Sequence, residues 1–306
     1  MTDLPDRVAG CLLGLALGDA LGAPFEFRRA RDIPSPLPTF EFGWMGLPPG
    51  ATTDDTAMAL NLAISLAERG QFDPRDLIER HLVWFRSEPP DVGSLTRTVL
   101  TRIDRGESWR DAARRVWEER GPEVSAGNGS VMYCAPLGAA YANRPAQLHD
   151  LAPRLSALTH HDERCRTTVL AVTLATAALV RGERPEAAAR SAIGGTLDRE
   201  GGEELEFLVE AAGRTRPVDG PDQGFCLFTA AVGLQALVLE GREFEEELKR
   251  VVGLGGDTDT NAAVAGALLG AAAGRSRLPE SWLKHLAGRP AIEAAAERLV
   301  SLASNT

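Results

Sequence analysis

Gly10, Gly14, Gly18 and Gly22 recur every four residues through VAGCLLGLALGDALG. No other feature of the chain limits its fold so tightly. At 3.6 residues per turn, positions four apart share one face of a helix. A face made of glycine lets another backbone come very close, so this segment is predicted to be a buried packing helix. Its most apolar part, residues 8–18, is too short at eleven residues to span a bilayer. Only 6% of the residues are aromatic while Ala and Gly abound, which suits close-packed helices better than wide sheets.

Helical patterning continues along the chain. Residues 54–69 read as a small-residue helix stopped by Gly70, and Pro74 opens a second over RDLIERHLVWFR. Ser108 and Asp111 form an S-x-x-D pattern ahead of AARRVWEER. Further helices are expected near Val131 and over 163–181, 203–212, 226–240, 259–273 and 290–303. FCLF at 225–228 is locally ambiguous, and RTRPVDGPDQG at 214–224 is the strongest loop signal. No fixed-period repeat, low-complexity tract or linker interrupts the chain, so a single domain over 1–306 is expected.

Charge and cysteine usage narrow the function classes. A formal net charge of −10 argues against holding nucleic acid or an anionic membrane by bulk charge. Cys11, Cys134, Cys165 and Cys226 form no CxxC pair, so they read as reduced, buried thiols. The acidic, polar MTDLPDR start has no signal-peptide character. A cytoplasmic protein, expected to be a monomer, follows.

Two polar clusters stand out against this apolar background: ATTDDTAMAL at 51–60 and GLGGDTDTNAAVAG at 253–266. Ser, Thr and Asp favour helix starts, and one such cluster would be read as a cap. A cap uses one side chain, whereas here Asp54, Asp55, Asp257 and Asp259 crowd two helix starts, with Thr53 and Thr260 beside them. If the two ends converge, each carboxylate pair at about 4 Å repels by roughly 4 kcal/mol at an effective dielectric near 20. Such a cluster needs cations or protons. Carboxylates and hydroxyls without His or Cys point to Mg²⁺ or Mn²⁺, and paired aspartates on two segments suit a two-ion site. No EF-hand loop is present.

GCLLGLALGDALGAPFEF, LPPGATTDDTAMAL, PPDVGSLTR, GNGSVMYCAPLG, ALTHHD and GGDTDTNAAVAGALLGA, in that order, resemble the successive motifs of the ADP-ribosylglycohydrolase family. TDDT and GGDTDTNAA are the specific ones. The resemblance implies an all-α, compact multi-helix orthogonal bundle with a metal cleft. It also implies two Mg²⁺ (or Mn²⁺) ions and release of ADP-ribose from an ADP-ribosylated protein or other acceptor. Matched by position, Thr53, Asp54 and Asp55 form the first ligand block and Asp257, Asp259 and Thr260 the second. Asp91, in the family's D-[IV]-G motif, and Glu26, after the first helix, are the candidates for handling the proton of the attacking water. Asn128, Gly129 and Ser130 of GNGS match the loop that holds the diphosphate. Gly127 and Gly129 also suit a turn with positive φ. His160 resembles the histidine near the distal ribose or phosphate. Ser94, Leu95 and Tyr133 depart from the family pattern, Tyr133 standing where arginine is common.

Two rivals are weighed against this reading. His161 and Asp162 could belong to an HD-type metal phosphohydrolase, but His81, His149 and His285 have no matching motif context and TDDT and DTDT stay unexplained. A non-catalytic ADP-ribose-binding or structural protein would lack acids that are all present here. Arginine is the expected acceptor by resemblance to the bacterial members, and loops 28–50, 89–95 and 214–224 are expected to frame the leaving group.

Overall fold

A computed structural model describes residues 3–211, 217–239 and 243–304. In chain order the helices are α1 (Leu4–Gly22), α2 (Asp54–Arg69), α3 (Pro74–Arg86), α4 (Ser94–Asp104), α5 (Ala112–Arg120), α6 (Ala135–Ala140), α7 (Leu148–Ser156) and α8 (Glu163–Val180). They continue as α9 (Pro185–Gly194), α10 (Gly202–Glu210), α11 (Cys226–Val238), α12 (Phe244–Val252), α13 (Thr258–Ala273), α14 (Glu280–Leu283) and α15 (Arg289–Ala303). The all-α expectation holds. One small ladder joins β1 (Arg28–Arg29) antiparallel to β2 (Gly255–Gly256). Residues 212, 214–216 and 240, which belong to expected helices and to the expected loop, lie outside the described residues.

The glycine stripe pairs α1 with α13. A methyl group built on Gly10 would stand 2.2 Å from the carbonyl oxygen of Gly270, on Gly14 2.1 Å from Gly266, on Gly18 1.9 Å from Ala262, and on Gly22 2.3 Å from Thr258. Each step of four up α1 meets a step of four down α13, so the helices run antiparallel in contact for four turns. Their polar ends lock, because the Thr258 hydroxyl donates to the Gly22 carbonyl at 2.8 Å. The end of α1 therefore lies against the start of α13. At the opposite end Arg7 donates to the carbonyls of Leu179, Ala271 and Ala272, tying the last turns of α8 and α13 to α1.

Helix ends follow local chemistry. Gly70 stops α2 with φ 67°, its N–H returning to the Leu66 carbonyl. One expectation is corrected: the helix expected near Val131 begins at Ala135, after a run of turns. Ser108 does lead into α5, its hydroxyl accepting from the Arg110 N–H at 3.3 Å and its carbonyl from the Ala112 N–H at 3.0 Å, while the Asp111 carboxylate bonds both Ser108 and Arg114. The apolar first helix is also longer than its central eleven residues. As one stretch over Leu4–Phe25 it is long and apolar enough to cross a membrane, but 89% of that window is buried inside the fold. All four cysteines are buried free thiols.

Candidate active site

Thr53 caps α2, its hydroxyl accepting from the Asp55 N–H at 3.2 Å. A second cap comes from another helix. Asp19, in the last turns of α1, accepts from the Thr53 N–H with both oxygens at 3.0 Å, from the Thr56 N–H at 3.1 Å and from the Thr56 hydroxyl at 2.5 Å. Asp19 is fully buried, and burial pushes its carboxyl up to about 6 against the opposing pull of these hydrogen bonds. With the caps supplied by Thr53 and Asp19, Asp54 and Asp55 are left for other work.

At the second helix start, Asp257 occupies the cap position of α13 without making a capping hydrogen bond. Its Oδ2 instead accepts from the Asn128 side-chain amide at 2.8 Å, and Asn128 also donates to Thr229. The glycines before it are needed for close approach. Gly255 and Gly256 have φ of 71° and 78°, and added methyl groups would strike the backbone of Arg28–Ala30 and of Val218. Because β1 pairs with this glycine segment, Glu26 is carried beside Asp257.

The two clusters do converge. Carboxylate oxygens of Glu26, Asp257 and Asp259 lie within 4.8 Å of one another. The carboxyl groups of Asp54 and Asp91 lie within hydrogen-bonding reach of each other, as do those of Asp257 and Asp259, so each pair can close only on a shared proton or a cation. Burial, followed by neighbouring carboxylates, raises the carboxyls of Asp54, Asp55 and Asp259 well above their ordinary range. Burial lifts Glu26 to about 8, with Asp91 and Asp257 adding to the shift and a Trp44 hydrogen bond opposing it. Asp91 is raised chiefly by burial, with its hydrogen bond to Asp54 pulling the other way.

These residues fit divalent cations. The Oδ1 atoms of Asp55 and Asp259 are buried with no hydrogen-bond partner, a costly state for a carboxylate unless a cation or proton meets it. Every donor is a hard oxygen. Glu26, Asp54, Asp91, Asp257, Asp259 and Thr260 line one cleft of about 410 Å³. Thr53 and Asp55 stand behind that wall, with the Thr53 hydroxyl 3.2 Å from Asp55 Oδ2.

The other side of the cleft carries Gly127, Asn128, Gly129 and His160. Neither glycine has positive φ. Close packing explains Gly129, where a methyl group would stand 2.8 Å from His160 Cε1. His160 is buried, its Nδ1 lies 2.9 Å from the Thr159 hydroxyl, and burial pushes its imidazole down to about 4, so it is neutral near pH 7. Two expectations change here. Ser130 does not line the cleft, its hydroxyl being 3.0 Å from that of Ser156. Asn128 does line it, with its side-chain NH2 donating to Asp257 and Thr229. No helix starts at the loop to hold a diphosphate. Tyr133 is wholly buried and edge-on to His81.

Sequence reasoning gave Asp19 no role in the site, since its partners lie 34 and 37 positions away. It also missed a second cavity of about 500 Å³ that shares Gly127 and Gly224 with the cleft and includes Arg164 and Phe225. The Arg164 guanidinium stands 5.7 Å from the centre of the Phe225 ring. The ambiguous 225–228 stretch thus resolves into one bridge residue, Phe225 against Gly127, followed by α11.

The HD pair is engaged elsewhere. Asp162 caps α8 and accepts from Arg164 and the Trp117 indole, while His161 Nδ1 lies 2.9 Å from Arg166. Neither residue lines the acidic cleft, so this geometry offers nothing to an HD-type phosphohydrolase.

Comparison with known proteins agrees with the arrangement. The family model described as ADP-ribosylglycohydrolase matches residues 1–306. The ADP-ribosyl-[dinitrogen reductase] glycohydrolase of Rhodospirillum rubrum is 31% identical over 286 residues, covering 92% of this chain and 90% of that protein. An ADP-ribosylarginine hydrolase of Pseudomonas putida (strain GB-1) is 28% identical over 306 residues, covering 96% and 78%. A solved structure named as an ADP-ribosylglycohydrolase-related protein complex superposes with a TM-score of 0.79 at 35% identity, covering 98% of this chain and 99% of that one. From motifs, fold and cleft together, the chain belongs to the ADP-ribosylglycohydrolase family, whose members are hydrolases acting on glycosyl bonds.

Proposed function

We propose that the chain cleaves the bond between ADP-ribose and an arginine side chain of a modified protein, using two Mg²⁺ or Mn²⁺ ions. The observation that carries this is the convergence of Glu26, Asp54, Asp55, Asp91, Asp257 and Asp259 with two buried carboxylate oxygens left without partners. Six carboxylates carry more charge than one divalent ion offsets, which favours a pair. Thr53, Asp54, Asp55, Asp257, Asp259 and Thr260 would hold the ions, and the position of Glu26 adds it to that set. When bound, the ions supply positive charge that orients the vicinal ribose hydroxyls and makes a water more acidic.

The remaining steps fall to the chain itself. Asp91 faces the cleft one hydrogen bond from Asp54, and its raised carboxyl suits it to take the proton of the attacking water. Asn128 keeps Asp257 turned into the cluster. Neutral His160 packs on Gly129 and shapes the wall along which the ribose and diphosphate lie. The adjoining cavity, with Phe225 as an aromatic face, would take the adenine end. Anionic walls suit an oxocarbenium-like transition state, and the guanidine leaving group departs from the open side.

The arginine linkage is supported by the name of the Pseudomonas putida relative, an ADP-ribosylarginine hydrolase. The test is a panel of arginine-, serine- and nucleobase-linked ADP-ribosyl substrates, assayed with Mg²⁺ or Mn²⁺ and with chelator. Release of ADP-ribose from the arginine substrate, abolished by chelator, is the expected outcome. Release from another linkage alone refutes the acceptor assignment, and release from none refutes the activity.

A further inference from the structure

Ser130, Tyr133 and Thr159 are buried and do not line the cleft, yet they back His160, which does. Ser156 holds the histidine's backbone, its carbonyl accepting from the His160 N–H at 2.8 Å and its hydroxyl donating to the His160 carbonyl at 3.1 Å. With that proton committed, the Ser156 oxygen accepts from the Ser130 hydroxyl at 3.0 Å. The ring is held separately, by the Thr159 hydroxyl 2.9 Å from Nδ1.

Glycine keeps the other ring nitrogen open. A methyl group on Gly129 would stand 3.1 Å from Nε2 and 2.8 Å from Cε1, and one on Gly127 3.5 Å from Nε2. Both glycines line the acidic cleft. A side chain at either position would cover the Nε2 edge, so the pair leaves that edge of a buried histidine turned toward the cleft. Burial keeps the imidazole neutral near pH 7. One nitrogen then carries the proton and the other a lone pair, and what Nε2 offers depends on which is which.

The hydroxyls behind the ring decide it. Tyr133 is wholly buried, and burial raises its phenol well above the ordinary range, so it keeps its proton. Its oxygen makes no well-formed hydrogen bond, but the Thr159 hydroxyl lies within reach of it. A buried O–H without an acceptor is costly, and Thr159 Oγ1 is the acceptor beside it. Accepting from Tyr133, the Thr159 hydroxyl has its own proton left for Nδ1, and successive hydrogen bonds of this kind strengthen one another. We infer that Thr159, backed by Tyr133, is a positioning residue for the reaction: it donates to His160 Nδ1 and so presents the Nε2–H to the cleft as a neutral donor for an oxygen of the ADP-ribosyl group. This gives a task to Tyr133, which departs from the family pattern, and to Ser130, which stands outside the cleft. The choice of ligand rests on the hydrolase reading above, whereas the tautomer is a property of the chain alone.

Two measurements on the Mg²⁺-loaded protein test it. Long-range nitrogen–proton NMR spectra of the imidazoles, with the His160 signals assigned by their loss in His160→Gln, should show Nε2 protonated and Nδ1 bare. A proton on Nδ1 overturns the inference. Thr159→Val should move the Nδ1 resonance and raise the Kd for ADP-ribose about tenfold, as loss of one buried hydrogen bond to a ligand does. Thr159→Ser, which restores the hydroxyl, should bring both back, with Kd within about twofold of wild type. Unchanged ADP-ribose affinity in Thr159→Val overturns the inference, and so does an equal loss in Thr159→Ser at wild-type melting temperature, since the hydroxyl is then not the cause. Tyr133→Phe keeps the ring beside His81 and should also move the Nδ1 resonance; an unmoved resonance overturns the link from Tyr133. The same titrations with ADP, which lacks the distal ribose, identify the oxygen. A loss in Thr159→Val with both ligands assigns it to the diphosphate, and a loss with ADP-ribose alone to the ribose. Wild-type protein that releases no ADP-ribose from any substrate would strike the hydrolase reading, while the tautomer, read without ligand, is decided independently.

Discussion

Replacing Gly18 with alanine puts the α1–α13 contact under the sharpest strain. In an exposed helix the change would gain about 1 kcal/mol from helix propensity. Here the new methyl group would stand 1.9 Å from the Ala262 carbonyl oxygen, 2.4 Å from its carbon and 2.9 Å from the Ala263 nitrogen, all backbone atoms, where ordinary contact begins near 3.4 Å. No flexible side chain can yield, so the helices must part by roughly 1 to 1.5 Å in a core that is close-packed. Such overpacking costs about 3 kcal/mol, leaving a net loss of about 2 kcal/mol after the propensity gain. Chemical denaturation measures it, and the melting temperature should drop by about 4 °C in a chain of this size. Parting the helices also draws Asp19, near the end of α1, away from Asp257 and Asp259 at the start of α13, so divalent-metal affinity should fall in the same variant. Gly194→Ala is the control. Gly194 ends α9 with nothing within 4 Å of the new methyl group, so it should gain up to about 1 kcal/mol. A Gly18→Ala protein as stable as wild type would refute the register of the two helices.

Asp19→Asn should lower stability by about 1 kcal/mol, because an NH2 group replaces one of the two acceptor oxygens facing the Thr53 and Thr56 donors at the start of α2; equilibrium unfolding checks this. Asn128→Ala should weaken divalent-metal binding about tenfold with little change in fold, as loss of a ligand's hydrogen-bond partner does; calorimetry reads it. The third expectation concerns pH. Burial holds His81 down at about 3, below its ordinary 6.5. The unfolded chain therefore takes up the proton first, and stability should fall as pH drops below 6.5 toward 3. His81→Leu should remove that part of the slope between pH 7 and 4.5 in melting curves, and an unchanged slope would show that His81 is not held neutral.

Periodicity and chemical type were readable along the chain, while long-range pairing was not. The four-residue glycine spacing is visible in one line of sequence, but its partners Gly266 and Gly270 become meaningful only once α13 is seen running back along α1. The Thr/Asp clusters identify themselves by carrying more charge than a cap needs. Asp19 and Asn128 do not, since one buried polar residue on an apolar helix and one asparagine in a glycine turn have many ordinary uses. Their roles depend on residues 34 or more positions away. GNGS invited a turn-and-helix interpretation because Gly and Asn favour turns, whereas the folded chain needs Gly129 for the approach of His160.

The central claim is that the two acidic segments close on divalent cations. Titrating Mn²⁺ into the protein by calorimetry, alongside Asp257→Ala and Asp55→Ala, tests it most directly. The account predicts two ions per chain in the wild type and loss or marked weakening of binding in each variant, with the fold retained by circular dichroism. Wild-type protein that takes up no Mn²⁺, or variants that bind it as wild type does, would contradict the account.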